Sequence, residues 1–86
     1  MKHEGVHDLF SKMAEAFKTQ IAIDGDATRM TYGEVEDASN SLANLIISSG
    51  TAKGSFIAIL AEESAINIVG MIGVLKAGCA FVPLDL

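Results

Sequence analysis

A helix that is apolar on every side dominates the second half of the sequence. Residues 65–77 are almost uninterrupted in their apolar character, and large side chains occupy every side of the predicted helix: Ile66, Ile68, Val69, Met71, Ile72, Val74 and Leu75. A helix without a polar face belongs inside a larger body, whereas an 86-residue domain buries only about 60–65% of its unfolded surface. We therefore expect this helix to be covered in part by polypeptide that is not in the sequence.

Apolar runs on either side of this helix predict two β-strands. Residues 56–60 (FIAIL) contain no polar position, which is typical of a strand that is covered on both faces in a parallel sheet. Residues 79–82 (CAFV) form the second run, which Pro83 ends. With Ser64 as the N-cap of the helix and Gly78 at its end, residues 56–83 predict a βαβ unit with a right-handed crossover.

The first half of the sequence alternates between amphipathic helices and a hairpin. A three- and four-residue spacing predicts a helix whose buried face carries Val6, Leu9, Phe10, Met13 and Phe17, opposite Asp8, Ser11, Lys12 and Glu15. Next, residues 21–23 and 28–31 flank an Asp24-Gly25 step. This pattern indicates a β-hairpin in which Gly25 supplies a positive φ.

A capping box begins the second helix. Thr31 and Glu34 have the S/T-x-x-E spacing in which each residue satisfies a free backbone N–H of the other. The helix is predicted to end at Gly50 and to bury one stripe, which consists of Val35, Ala38, Leu42, Leu45 and Ile46. The predicted fold class is α/β: an N-terminal helix, a short β-hairpin, a helix, and a βαβ unit that is part of a larger sheet supplied by missing polypeptide.

Composition excludes several classes of protein. The net charge is −5, and the six Lys and Arg residues are scattered singly, so we expect no nucleic-acid partner. The apolar stretch at 65–77 is shorter than the roughly 20 residues that span a bilayer, and no apolar segment follows residues 1–4 as in a secretory signal. We therefore expect no membrane partner and a cytoplasmic location. One cysteine, Cys79, cannot pair within the chain.

The start of the chain matches the H-E-x-x-H pattern of zinc proteases. His3 and His7 would bind the metal, and Glu4 would act as the general base. However, Gly5 lies inside the turn that must be rigid, and no third histidine follows. We interpret the pattern as coincidental and expect no metal site.

The other candidate residues favour structural roles. Residues 50–55 (GTAKGS) lack the Gly-Lys-Ser/Thr ending of a phosphate-binding loop, and we assign Gly70 and Gly73 to close helix packing. Cys79 lies in an apolar strand without a histidine partner, where a thiol is inert. The acidic residues that follow the strands are interpreted as loop residues and not as catalytic groups: Glu62, Glu63 and Asp85.

Three stretches together resemble a known family. Residues 6–10 (VHDLF), 30–35 (MTYGEV) and 75–85 (LKAGCAFVPLD) are similar to the opening of the amino-acid adenylation domain of nonribosomal peptide synthetases, which are adenylate-forming enzymes. The resemblance covers the whole chain. It implies that residues 1–86 are a partial adenylation domain, the N-terminal portion of its large subdomain.

The resemblance also implies a function for the parent domain. ATP and Mg²⁺ would convert an amino acid into an aminoacyl-adenylate and pyrophosphate, and the acyl group would pass to the phosphopantetheine thiol of a carrier protein. The partners would be the remainder of the adenylation domain or neighbouring synthetase domains, with the carrier protein engaged through the parent. The motifs present here are structural ones, so we expect no catalytic, cofactor-binding or metal site in the chain, and no activity of the chain alone.

An alternative remains open at this point. The chain would then be a non-catalytic remnant of an adenylation domain that serves as a linker or docking module between other domains.

Overall fold

The computed structural model describes residues 5–25, 27–60 and 63–83, and its elements follow the predicted order. Helix α1 (Val6–Ala16) precedes a hairpin of β1 (Ile21–Asp24) and β2 (Arg29–Thr31). Helix α2 (Tyr32–Ser48) follows, and then β3 (Phe56–Ile59), α3 (Ser64–Lys76) and β4 (Ala80–Pro83). The α/β fold class is thus confirmed. No helix in the described part of the chain is long and apolar enough to cross a bilayer.

The hairpin forms where the Asp-Gly step predicts it, but for a different reason. Strands β1 and β2 pair antiparallel, and the Gly25 N–H donates to the Thr28 carbonyl at 3.0 Å to close the turn. Gly25 does not have a positive φ, so that expectation is wrong. A Cβ atom at this position would lie 3.3 Å from the Thr28 carbonyl oxygen, and close approach of the backbone is therefore what favours glycine.

The ends of α2 are set by the predicted local signals. The Glu34 N–H donates to Thr31 Oγ1 at 3.1 Å, and the Thr31 N–H donates to Glu34 Oε1 at 2.9 Å, so the capping box is confirmed. At the other end Gly50 has a φ of 83°, and its N–H donates to the Ile47 carbonyl. The helix therefore ends in a left-handed turn, which glycine adopts without steric cost.

The buried face of α2 differs in part from the predicted stripe. Val35 is fully buried, but Leu45 is 67% exposed. The positions that accompany Val35 in the interior are Ser39 and Ala43, each one helical turn further along. These small residues were missed because a count of apolar positions gives them little weight, although they allow a neighbouring helix to approach closely.

That neighbouring helix is α3, which connects two parallel strands. Strands β3 and β4 pair in parallel from Phe56 opposite Ala80 to Ile59 opposite Pro83, as the βαβ prediction requires. Helix α3 ends in a Schellman turn: Gly78 has a φ of 79°, and the N–H groups of Gly78 and Cys79 donate to the carbonyls of Leu75 and Val74. Ser64 is the first residue of the helix and Glu63 is its N-cap, so the assignment of Ser64 as the cap is wrong.

Two glycines bring α3 into contact with its neighbours. A Cβ atom on Gly70 would lie 2.3 Å from Ile59 Cδ1, and one on Gly73 would lie 2.8 Å from Leu42 Cδ2. Atoms cannot approach so closely, which confirms that Gly70 and Gly73 serve helix packing.

Among residues 5–25, 27–60 and 63–83, buried apolar side chains form two core clusters, one toward each end of α3. Ile23, Val35, Ala65 and Ile72 form the first, and Phe10 packs against it while its ring also contacts Tyr32 at a centroid distance of 5.6 Å. The second cluster lies under the parallel strands and consists of Ala43, Val74, Ala77 and Cys79. Helix α3 contributes to both clusters, so it organises the interior of the chain.

Helix α1 forms as predicted but turns its apolar stripe outward. Val6, Leu9, Met13 and Phe17 are between 43% and 62% exposed, and Ala14 is the buried residue of this helix. Ser11 faces α2, where its hydroxyl donates to Glu36 Oε1 at 3.1 Å. The prediction of the buried face is therefore confirmed at Phe10 and wrong for the other four positions: the spacing identifies an apolar face but cannot tell what covers it.

Candidate functional site

The zinc-protease pattern lies at the beginning of α1. His3 and Glu4 lie outside the described residues, whereas His7 occupies the first turn of the helix with its Nε2 atom 3.5 Å from Asp8 Oδ1. The Gly5 N–H donates to Asp8 Oδ2 at 3.0 Å, so the Asp8 carboxylate also serves as a helix cap. Within residues 5–25, 27–60 and 63–83, no three His, Cys, Asp or Glu side chains lie close enough together to hold a metal ion.

The glycine-containing segment at 50–55 is a connector whose polar groups form hydrogen bonds within the segment and to the turn that precedes β4. The Gly54 N–H donates to the Gly78 carbonyl at 2.8 Å, and the Ser55 hydroxyl donates to the Ala52 carbonyl at 2.6 Å. A phosphate-binding loop instead points free backbone N–H groups at its ligand. The arrangement at Gly54 and Ser55 therefore positions the start of β3 against the start of β4.

The remaining candidates also make contacts within the fold. Cys79 is buried, with its Sγ atom 3.7 Å from the Ala52 carbonyl oxygen. Glu63 accepts a hydrogen bond from the Thr28 hydroxyl, so it joins the hairpin turn to the start of α3. It is therefore not the solvated loop residue that the sequence suggested. Glu62 and Asp85 lie outside the described residues.

A partly buried polar cluster that sequence reasoning missed lies between α2 and α3. The Lys76 ammonium donates to the Glu36 carboxylate, to Ser39 Oγ at 2.8 Å and to Asn40 Oδ1 at 2.8 Å. The side chain of Lys76 is only 11% exposed and that of Glu36 is 23% exposed. The sequence carries one signal for this cluster, because Lys76 is the only charged residue of the apolar stretch at 65–77.

One face of the β3–β4 sheet is covered and the other is bare. Because paired residues of parallel strands share a face, Ile57, Ile59 and Phe81 point toward α3, where they pack on the second core cluster. The opposite face, which we call the outer face, carries Phe56, Ala58, Ala80 and Val82. Phe56 is 80% exposed, and Leu60 just beyond β3 is 58% exposed. The expectation that both faces of β3 are covered is thus not met within the described residues.

The outer face has the chemistry of an interior layer. It contains no polar side chain, and a parallel sheet is ordinarily covered by helices on both sides. Large exposed apolar patches on soluble proteins mark surfaces that bind other polypeptide. In the described part of the chain, the outer face is therefore the strongest candidate for a functional surface, and it points to packing rather than catalysis.

Comparisons with known proteins agree with this interpretation. The family profile described as "AMP-binding enzyme" matches residues 10–86. Tyrocidine synthase 2 of Brevibacillus parabrevis is 42% identical over 80 residues, which are 93% of this chain and 2% of that protein. This chain therefore spans a very small share of the relative that it matches.

Solved structures show the same fold. The N-terminal subdomain of NpsA from Klebsiella oxytoca superposes with a TM-score of 0.86 at 27% identity, over 95% of this chain and 22% of that one. An artificially fused adenylation–PCP di-domain that contains NpsA gives a TM-score of 0.89 at 26% identity, over 99% of this chain and 16% of that one. The chain belongs to the AMP-binding enzyme family, in which it corresponds to an N-terminal segment of a nonribosomal peptide synthetase adenylation domain.

Proposed function

We propose that residues 1–86 are the N-terminal structural portion of the large subdomain of an adenylation domain. The parent domain would use ATP and Mg²⁺ to form an aminoacyl-adenylate, and it would load the acyl group onto the phosphopantetheine thiol of a carrier protein. The observation that carries this proposal is the bare outer face of β3 and β4, in a chain whose sequence and fold match one part of much longer proteins.

The role of the segment in that domain is packing. Its outer face would form one side of an interior layer, with the remaining strands and helices supplied by the rest of the domain. The sites for ATP, Mg²⁺ and the amino acid would lie in that remainder. In support, the polar groups of the candidate residues described here are engaged with the fold itself: Gly54 with Gly78, Ser55 with Ala52, and Glu63 with Thr28.

A chimera tests this proposal. Residues 1–86 replace the matching segment of Klebsiella oxytoca NpsA, and ATP–pyrophosphate exchange is measured with the substrate of the host enzyme. We expect the chimera to retain exchange with an unchanged substrate preference, and we expect the isolated 86-residue chain to show none. A Phe56→Glu chimera should lose activity because it places a charge in the covered layer, whereas Lys53→Glu in the exposed connector should not.

The outcomes separate the two functions considered. A chimera that folds but forms no adenylate would contradict the packing role and favour a non-catalytic remnant. ATP–pyrophosphate exchange by the isolated chain would also contradict the proposal, because it would place an active site within residues 1–86.

A further inference from the structure

Each hydrogen-bond donor of the Lys76 ammonium group has an acceptor on one neighbouring helix. A lysine has three N–H donors, and the three side chains that receive them are Glu36, Ser39 and Asn40. All three belong to a single turn of α2, while Lys76 is the last residue of α3. These three hydrogen bonds therefore depend on where the last residue of α3 lies relative to one turn of α2.

The acceptors are themselves fixed. Ser39 is completely buried, and its hydroxyl donates to the Glu36 carbonyl at 3.0 Å, which leaves its lone pairs free to accept from Lys76. Glu36 also receives the Ser11 hydroxyl at 3.1 Å. The cluster thus links α1, α2 and α3 through one carboxylate.

Apolar contacts between α2 and α3 define a different point of the helix pair. Leu42 fills the space that Gly73 leaves and so limits sliding at that turn, whereas burial of apolar surface is otherwise non-directional and would tolerate a small shift of the last turn of α3. Such a shift would separate the Lys76 ammonium from the Glu36 carboxylate, which is unfavourable for a charged side chain that is only 11% exposed.

The position of Lys76 also sets where β4 begins. The Schellman turn at 77–79 follows Lys76 directly. The Gly78 carbonyl accepts from the Gly54 N–H, and the Ala80 N–H donates to the Ser55 carbonyl at 2.9 Å. A shift of the Lys76 end of α3 would therefore move both hydrogen bonds that begin the β3–β4 ladder.

We propose that Lys76 is a positioning residue whose ammonium group fixes the last turn of α3 on α2 and, through it, the start of β4. The inference concerns contacts within this chain and does not depend on the proposed function.

Hydrogen exchange of the full chain, followed by mass spectrometry, tests the inference. We expect Lys76→Met to accelerate amide exchange at residues 73–80 by about tenfold or more, equivalent to about 1.4 kcal/mol, and to leave the hairpin at 21–31 unchanged. Lys76→Arg should restore little, since a planar guanidinium cannot direct separate donors to the same three acceptors. Lys53→Met, at an exposed lysine, is the matched control and should change neither region.

A milder variant covers the case in which Lys76→Met does not fold. Ser39→Ala removes one acceptor at nearly constant volume, and it should accelerate exchange at the same amides to a smaller extent. Three results would overturn the inference: unchanged exchange at residues 73–80, a uniform increase that includes the hairpin, or full restoration by arginine. A uniform increase would indicate a general effect on stability. Full restoration by arginine would indicate that a positive charge at position 76 is enough to hold the end of α3.

Discussion

At the level of single residues, the two glycines of α3 determine how closely this helix approaches its neighbours. Glycine inside a helix is ordinarily unfavourable by up to about 1 kcal/mol relative to alanine. Here Ile59 occupies the space that a side chain at position 70 would need, and Leu42 occupies the corresponding space at position 73. The packing contact is the tighter constraint at Gly73, where Leu42 Cβ itself would lie 3.0 Å from an added methyl group, whereas at Gly70 only the end of the Ile59 side chain would have to move.

Gly73→Ala should destabilise the chain, although alanine favours helices. The added methyl group would lie 2.8 Å from Leu42 Cδ2 and 3.0 Å from Leu42 Cβ, which no side-chain rotation moves away, and forcing an extra methyl into a packed interior costs about 1–3 kcal/mol. After the gain in helix propensity is subtracted, we expect a loss of about 1 kcal/mol. Urea unfolding monitored by circular dichroism measures this difference.

The double variant Gly73→Ala/Leu42→Ala provides the control for this experiment. Alanine at position 42 lacks the Cγ and Cδ2 atoms that clash, so the double variant should be more stable than the sum of the two single effects predicts. Additive effects, or a Gly73→Ala variant as stable as the original chain, would contradict the packing role.

Whether the role of a residue can be predicted depends on how far away its contact partner lies in the sequence. The roles of Gly70 and Gly73 could be predicted, because a glycine within an apolar helix already indicates a close neighbour. The cluster around Lys76 could not be predicted, since Lys76 is 40 residues from Glu36 in the sequence. The exposure of Leu45 was also hidden, because its apolar character does not reveal whether a partner lies opposite.

At the level of elements, local signals define where each helix and strand begins and ends. The capping box at Thr31 and the left-handed glycines Gly50 and Gly78 involve residues within a few positions of each other. Such signals are readable from the sequence, and the order of elements was predicted correctly for that reason. The apolar face of α1 was predicted to be buried, but apart from Phe10 its large side chains are exposed, because coverage depends on which polypeptide lies against each face.

Thr31→Ala should lower the free energy of unfolding by about 1 kcal/mol, the usual loss for an N-cap threonine. The variant removes the acceptor for the Glu34 N–H and leaves that donor at the end of α2 without its cap. Thermal unfolding of the variant and of Thr19→Ala, an exposed loop threonine, gives the comparison. Equal stability of the two variants would show that the capping box contributes nothing measurable to α2.

At the level of the whole molecule, large apolar side chains are exposed on several elements. The outer face with Phe56, the outward stripe of α1 and the exposed Ile66 lie on three different elements. An isolated chain with these surfaces should bind apolar dyes and self-associate. This property follows from the fold itself and not from incomplete folding, because the two core clusters are already formed.

The double variant Phe56→Lys/Leu60→Lys should reduce self-association, since it places charges on the outer face and next to it. Sedimentation velocity at increasing protein concentration measures the effect, together with fluorescence of an apolar dye. Thr51→Lys/Ala52→Lys adds the same charge in the exposed connector and should leave association in place. A wild-type chain that is monomeric, unfolds cooperatively and binds no dye would contradict the packing function.

The parallel pairing of β3 and β4 has a consequence for synthesis on the ribosome. A parallel partner cannot arrive through a tight turn, so β3 has no hydrogen-bonded neighbour among the described strands until α3 and residues 80–83 have been translated. The hairpin at 21–31 needs no such delay, because its two strands are adjacent in the sequence. Folding of the nascent chain is therefore expected to proceed from the hairpin toward the sheet, with β3 awaiting its partner near the tunnel exit.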